Sequence, residues 1–388
     1  MVDVDERDSG VRDVAPGEDT EVDPLRGAAP GEDVEARRAK ASVAAGLFGD
    51  AGPEDPVEVG RYRIDTRRGA GGMGVVYEAW DPQLERRVAV KLLHPEVSAD
   101  EKARGRMLRE ARALARLSDP NVIQVYDVGT THDQVFVAME FVEGETLGEW
   151  LGGAPRPWAE TLDRFIAAGR GLQAAHDTGL VHRDFKPDNV LIGDDGRVRV
   201  LDFGLARAAP ELDAAATGQA PIPITDGGLE EVSPSLKAAL TQTGALVGTP
   251  LYMSPEQFEG RPADALSDQY SFCVSLYQGL YGQRPFEANS IASLVRNVVG
   301  GRVLPPPADT EVPAALEQVL RRGMSLERGD RFESMRALIA ALQAAREQPL
   351  VPAPRSRKGM AVGAVAVLAI GSAIGLGAFM RDDANATV

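Results

Sequence analysis

Five polar or charged side chains, His182, Arg183, Asp184, Lys186 and Asn189, crowd into eight positions of LVHRDFKPDNVLI (180–192), between two apolar runs. Buried and idle they would be costly, so the stretch is either a solvated loop or a site that uses them. A second chemical signal lies upstream in RGAGGMGVVY (68–77), where Gly69, Gly71, Gly74 and Val76 fall in a G-x-G-x-x-G-x-V run. Glycines let backbone amides approach phosphate oxygens without obstruction by a Cβ, and the valine can roof an adenine ring. Alone the run is a weak signal. A dinucleotide-binding fold would follow the glycines with a helix, whereas VVYEAWD continues as a strand.

RRVAVKLL (86–93) brings Lys91 in a V-A-V-K context. An isolated lysine after alternating apolar residues is usually a surface lysine. Here RGRMLREARALARL (104–117) follows, with Glu110 on the same helical side as Leu114. A Lys91–Glu110 ion pair would hold the ammonium against two phosphates.

The elements that must position these residues change character along the chain. YRIDTRR, GVVYEAWD, RRVAVKLL, VIQVYDVGTT and QVFVAMEFV alternate as strands, interrupted by the helical DEKARGRMLREARALARL. From Leu147 helical patterns dominate, as in WAETLDRFIAAGRGLQAAHDTG, the run around Cys273, and PAALEQVLRRGMS. A small β-rich part followed by a larger helical part predicts two lobes with a ligand cleft between them.

Composition narrows the function classes. A net charge of -16 over 388 residues argues against a nucleic-acid binder, which needs a basic stripe. Residues 1–59 hold 16 Asp and Glu against 6 Lys and Arg, about -10 of that total, and are expected to form a largely disordered acidic arm. The N-terminus has no apolar stretch of the kind that marks a secretory signal. The single cysteine, Cys273, excludes an intramolecular disulfide or a cysteine zinc site and reads as a small buried hydrophobe. The four histidines, His94, His132, His176 and His182, lack ligand spacing.

The C-terminal part reads differently. QPLVPAPRSRK (348–358) is a Pro- and Arg-containing linker, within a span taken as 347–359. MAVGAVAVLAIGSAIGLGAFM (360–380) then runs without a charge and, as a helix, would span roughly 30 Å, the thickness of a bilayer core. Arg355, Arg357 and Lys358 flank its start, so residues 1–359 are expected on the cytoplasmic side of the inner membrane, with 381–388 as a short outer tail. Gly371 and Gly375 form a GxxxG pair that would let two such helices approach as a homodimer, though glycine is common in membrane helices anyway.

LVHRDFKPDN resembles the catalytic loop of protein kinases, H-R-D-x-K-x-x-N, and VRVLDFGLA (198–206) follows as the D-F-G element in the expected order and spacing. GTPLYMSPEQ, SDQYSFCVSLYQGLYGQRPF and RGDRF match the end of the activation segment and the large-lobe helices of the same family. The resemblance covers about residues 62–345 and is to bacterial, eukaryotic-like serine/threonine protein kinases. It implies an α+β, two-lobed protein kinase fold: a small β-rich N-lobe with one helix (about 60–142) and a larger helical C-lobe (about 143–346), in a catalytic domain over 60–346, plus the single transmembrane helix.

The resemblance also implies roles. Asp184 would accept or orient the substrate hydroxyl, and Lys186 would stabilise charge on the transferring phosphoryl group. Asn189 and Asp202 would hold magnesium, or manganese in its place. ATP would lie under Val76 and Ala89, its base edge bonded by the backbone from Glu140 to Val142 and Met139 behind it. Lys186 with Thr249 of the G-T-P stretch is the serine/threonine pattern, so protein substrates with Ser or Thr acceptors are implied. The activation segment, 202–256, is long, and Thr241 and Thr243 stand where related bacterial kinases autophosphorylate, with Arg183 available to pair the phosphate. Arg68 departs from the family, which usually has an apolar residue before the first loop glycine. Phe185 stands for the commoner leucine, and Ser254 for the alanine of A-P-E, while Glu256 remains with Arg331 as its expected buried partner. A kinase-shaped scaffold without transfer would usually lack one of Lys91, Asp184 or Asp202, and a small-molecule kinase would lack the G-T-P-x-Y-x-S-P-E stretch.

Overall fold

Strand β3 (Gly74–Asp81) explains how alternation becomes architecture: Val75, Tyr77 and Ala79 are buried on one face, while Val76, Glu78 and Trp80 project to the other. The computed structural model describes residues 57–71, 74–94, 101–131, 134–203 and 249–347. The chain divides into two compact units, one up to Arg104 with Tyr126–Phe141, the other Gly105–Val125 with Val142 onward.

In the first unit six strands run in the order β1-β2-β3-β4-β6-β5: β1 (Glu58–Val59), β2 (Tyr62–Gly71), β3, β4 (Arg86–Leu93), β5 (Val125–Thr131) and β6 (Gln134–Glu140). β1 through β4 and then β6 pair antiparallel. The core lies on one face, where Val59, Tyr62, Ile64, Val75, Tyr77, Ala79, Val88, Val90, Leu92, Phe136 and Ala138 cluster. Burying each large apolar side chain contributes about 1.5–3 kcal/mol. Register therefore decides what the other face carries, since a one-residue slip would exchange the two sets. Tyr62 packs edge-on against Phe136 at 5.9 Å and donates its hydroxyl to Asp127 at 3.0 Å. Burial, with that bond, pushes its phenol well above the usual range.

The second unit holds the residues of α1 (Glu101–Ala115) from Gly105 on, with Met107, Ala111 and Leu114 buried. A three-stranded antiparallel sheet follows, ordered β7 (Gly144–Thr146), β8 (Val190–Gly193) and β9 (Val198–Val200). Further helices are α2 (Leu147–Gly153), α3 (Trp158–Asp177), α4 (Pro255–Phe258), α5 (Ala265–Tyr281), α6 (Ile291–Val299), α7 (Ala314–Gly323) and α8 (Met335–Arg346). α5 is buried on nearly every side from Ser267 to Tyr277, as expected of a helix at the centre of a helical unit. Asp264 caps it, accepting from Leu266 N at 2.9 Å and Ser267 N at 3.1 Å, and Gly282 ends it in the left-handed conformation. Cys273 is fully buried on α5 and desolvation pushes its thiol up, so it packs as a hydrophobe. A Cβ at Gly323 would run into its sulfur, which is why glycine stands there.

Among the described residues no helix is long and apolar enough to cross a membrane. The span predicted at 360–380, with its glycine pair, lies outside the described residues, as do the acidic arm up to residue 56 and the threonines 241 and 243.

Candidate functional site

The segment around His182–Asn189 is held first by its backbone. His182 and Arg183 donate their amides to the two carboxylate oxygens of Asp268, each at 2.7 Å, and His176 Nε2 meets the same carboxylate at 2.8 Å. Asp268 lies in the first turn of α5 and is 1% exposed, so its charge is committed to these donors. Arg183 sits at φ 69°, a left-handed conformation that costs a non-glycine residue on the order of 1–3 kcal/mol. The Asp268 bonds and the bond from Gln257 Nε2 to the Arg183 carbonyl, at 2.9 Å, hold it there. His182 Nδ1 accepts from the Asp184 amide at 3.3 Å, so the proton on Nε2 is donated to the Leu201 carbonyl at 2.8 Å. Its ring packs against Phe203 at 4.8 Å and Phe185 at 5.8 Å.

On this frame three of the residues singled out in the sequence converge. Asp184, 8% exposed, receives Lys186 Nζ on Oδ2 at 2.9 Å. Asn189 Nδ2 donates to the Asp184 carbonyl at 2.8 Å and to Oδ2 at 3.3 Å. The amide nitrogen of Asn189 is thereby spent, leaving its oxygen as the atom for a cation. The Leu201 amide donates to the Asn189 carbonyl at 2.8 Å, which ties the chain entering Asp202 to the loop. Asp202 itself is at φ 59°, the second non-glycine outlier of this region. No group of three or more His, Cys, Asp or Glu able to hold a metal occurs among the described residues. An amide oxygen and a carboxylate are nonetheless the hard donors that suit magnesium when phosphate oxygens and water complete the shell.

Within the second unit Glu110 pairs with the loop arginine. Its Oε1 accepts from Arg183 Nη1 at 2.9 Å, with both side chains partly exposed. Two partly buried charges of opposite sign that come within reach satisfy each other at modest net gain. Below the loop, Glu256 and Arg331 form a fully buried bidentate pair at 2.8 and 2.9 Å, and Ser267 Oγ donates to Glu256 at 2.6 Å. Burial alone would raise the Glu256 carboxyl; the Arg331 and Ser267 bonds outweigh it and bring it down to about 2. Thr249 begins a short turn (Thr249–Tyr252), and its side chain lies outside the described residues.

The nucleotide residues expected from sequence share one face of the first unit, opposite its core. Val76 lies across from Lys91 and Glu78 across from Ala89, and Ala89 in turn lies across from Met139. Lys91 is 6% exposed. Among the described residues a Cβ at Gly69 or Gly71 would meet nothing within 4 Å, so their packing does not demand glycine there. Gly74 is different, because a Cβ would strike the Leu92 carbonyl oxygen of the neighbouring strand. Glu140 ends β6, and the two units divide between Phe141 and Val142.

Sequence reasoning missed Asp268, His176 and Gln257. Asp268 carried one signal, a charge opening an otherwise apolar helix. His176 carried another, a histidine closing α3. Neither pattern names its partner, 92 positions away.

The protein kinase domain family matches residues 62–339. The chain is 34% identical over 318 residues to the serine/threonine-protein kinase PknL of Mycobacterium tuberculosis, covering 79% of this chain and 73% of PknL. It is 35% identical over 303 residues to the serine/threonine-protein kinase pkn2 of Myxococcus xanthus, covering 76% of this chain and 33% of pkn2. A probable serine/threonine-protein kinase of Clostridium acetobutylicum is 31% identical over 73% of this chain and 39% of its own length, so the chain spans only about a third to two fifths of these last two relatives. The crystal structure of a cysteine-to-alanine mutant of the Mycobacterium tuberculosis PknI kinase domain superposes with a TM-score of 0.55 at 26% identity, covering 76% of this chain and 99% of that one. With a family match over most of its length, the chain belongs to the protein kinase family, among relatives that are bacterial serine/threonine kinases.

Proposed function

We propose that the protein transfers the γ-phosphoryl group of Mg-ATP to serine and threonine hydroxyls of proteins, including its own Thr241 and Thr243. The observation that carries this reading is the Asp184 carboxylate, held by Lys186 and Asn189 on a loop whose backbone is pinned by Asp268. Asp184 orients the acceptor hydroxyl and takes its proton as the oxygen attacks the γ-phosphorus and the bond to the bridging oxygen of ADP breaks. Lys186 offsets negative charge on the phosphoryl oxygens, and Lys91 holds the other phosphates. Asn189 and Asp202 would hold the magnesium, which when bound would neutralise charge on the phosphate oxygens. The transition state is loose, so positioning and charge stabilisation carry most of the rate. The adenine lies under Val76 and Ala89, its edge on the backbone from Glu140 to Val142.

The charge-free run at 360–380 and the basic residues before it support a single-pass anchor with the kinase domain on the cytoplasmic face of the inner membrane. Self-association through Gly371 and Gly375 would bring two kinase domains together for phosphorylation of one by the other. The full chain in detergent, incubated with magnesium and ATP beside its Asp184→Asn variant, tests the transfer. Phosphate mapped by mass spectrometry to Thr241 or Thr243 in the unmodified chain alone is the expected result. No phosphate on a folded, ADP-binding chain would point instead to a scaffold.

A further inference from the structure

Arg68 stands where the strand ladder breaks. β2 pairs with β3 through Arg67 opposite Tyr77 and then Gly69 opposite Val76, so Arg68 is the extra residue of a bulge. A bulge re-aims the side chain it carries. Here Nε and Nη2 of Arg68 both reach Glu78 Oε2, Nε at 3.0 Å, and the guanidinium lies over the Phe141 ring at 5.4 Å. Arg87 completes the group, with Nη1 on Glu78 Oε1 at 3.4 Å and its guanidinium 5.0 Å from the same ring. Glu78 is only 7% exposed, yet both its oxygens carry a guanidinium.

An ordinary exposed ion pair contributes little to stability. This one differs in two ways. Its carboxylate is buried, and it stands on the face that carries Val76, Ala89 and Lys91, with Glu78 directly across from Ala89. Phe141 follows Glu140, so the guanidinium is held at the end of the face where the base edge is placed. A planar cation in that position has the chemistry to stack on a purine, whose π face attracts it as an aromatic ring does.

We infer that Arg68 is a base-covering, specificity-determining residue: tethered by Glu78 and packed on Phe141, its guanidinium stacks on the adenine of the bound nucleotide. This rests on the proposed nucleotide reading of the same face. Glu78 is then a positioning residue, acting through Arg68.

Calorimetric titration of the full chain in detergent with ADP, and separately with ribose 5-diphosphate, which lacks the base, tests it. Arg68→Ala should weaken ADP by about 5-fold, a cation–π contribution, and leave ribose 5-diphosphate unchanged. Glu78→Gln should weaken ADP by a smaller factor, and Arg68→Lys, which keeps the charge without the planar face, should recover only part of the loss. In turnover the Arg68→Ala effect should fall on KM for ATP with kcat retained. An unchanged ADP affinity, or an equal loss for both ligands, overturns the role of Arg68 while leaving nucleotide binding intact. A folded, unmodified chain that binds neither ligand overturns the nucleotide reading itself.

Discussion

The catalytic loop and the glycine-bearing sheet face reach their geometry by opposite means. On the loop, two left-handed non-glycine residues and a buried cluster of amides, imidazoles and carboxylates fix each reacting atom by named hydrogen bonds. On the sheet, register alone brings Val76, Ala89 and Lys91 to one side, and a Cβ added at Gly69 or Gly71 would meet no described residue within 4 Å. The loop is strained and over-determined, whereas the glycine-bearing end of the sheet, apart from the bulge at Arg68, is set by strand register and leaves space beside Gly69 and Gly71. Strain that is held by dedicated bonds suits atoms that must be placed to a fraction of an ångström. A regular open surface suits a ligand that brings its own shape.

The comparison predicts where function will be most brittle. Asp184→Asn should reduce phosphoryl transfer by about 10³-fold while ADP binding stays within a factor of two, because only the group that meets the hydroxyl is altered. A radiolabelled-phosphate assay beside an ADP titration reads both, and a parallel loss of binding would mean that the two regions are not separable. Asp268→Asn, which touches no substrate, should still lower kcat by about 100-fold through misplacement of Arg183 and Asp184. Retention of full activity in that variant would show that the loop keeps its shape without the α5 carboxylate.

Stability should divide in the same way. Glu256 is held at about 2 against an ordinary 4.5, so its contribution is fully present above the unfolded value and is lost as pH falls toward the folded one. That difference corresponds to about 3 kcal/mol, disappearing between roughly pH 5 and 2. Glu256→Gln should destabilise the second unit at neutral pH by a similar amount and flatten this acid limb in thermal melts. An unchanged acid limb would assign the acid sensitivity to other carboxylates.

What could be read from sequence follows the same contrast. The strands at 74–81 and 86–93 were legible because alternation is local, whereas the common face of Val76, Ala89 and Lys91 came only with the register. The loop residues were legible from their spacing and their likeness to the kinase family. What held them was not, because Asp268 and Gln257 act on Arg183 from 85 and 74 positions away. The Arg183 partner of Glu110 was hidden for the same reason, since charge and helical phase show that a residue needs a partner but not which one folding brings near. Arg68 was visible only as a departure, and its bulge and its Glu78 tether needed the register.

The smallest effect is the sharpest test of the open face. Gly71→Ala meets nothing within 4 Å, and alanine costs less backbone entropy than glycine in a strand, so stability should change by no more than about 0.5 kcal/mol, in the favourable direction. Gly74→Ala drives a methyl into the Leu92 carbonyl and should destabilise the first unit by about 1–3 kcal/mol. ADP affinity should nevertheless fall several-fold in Gly71→Ala, because the added methyl occupies the space through which the backbone meets phosphate. Denaturant melts and ADP titrations on the pair separate the two roles. If Gly71→Ala binds ADP as well as the unmodified chain, the glycine at 71 serves the strand and not the ligand, and phosphate contacts must come from other backbone of the loop.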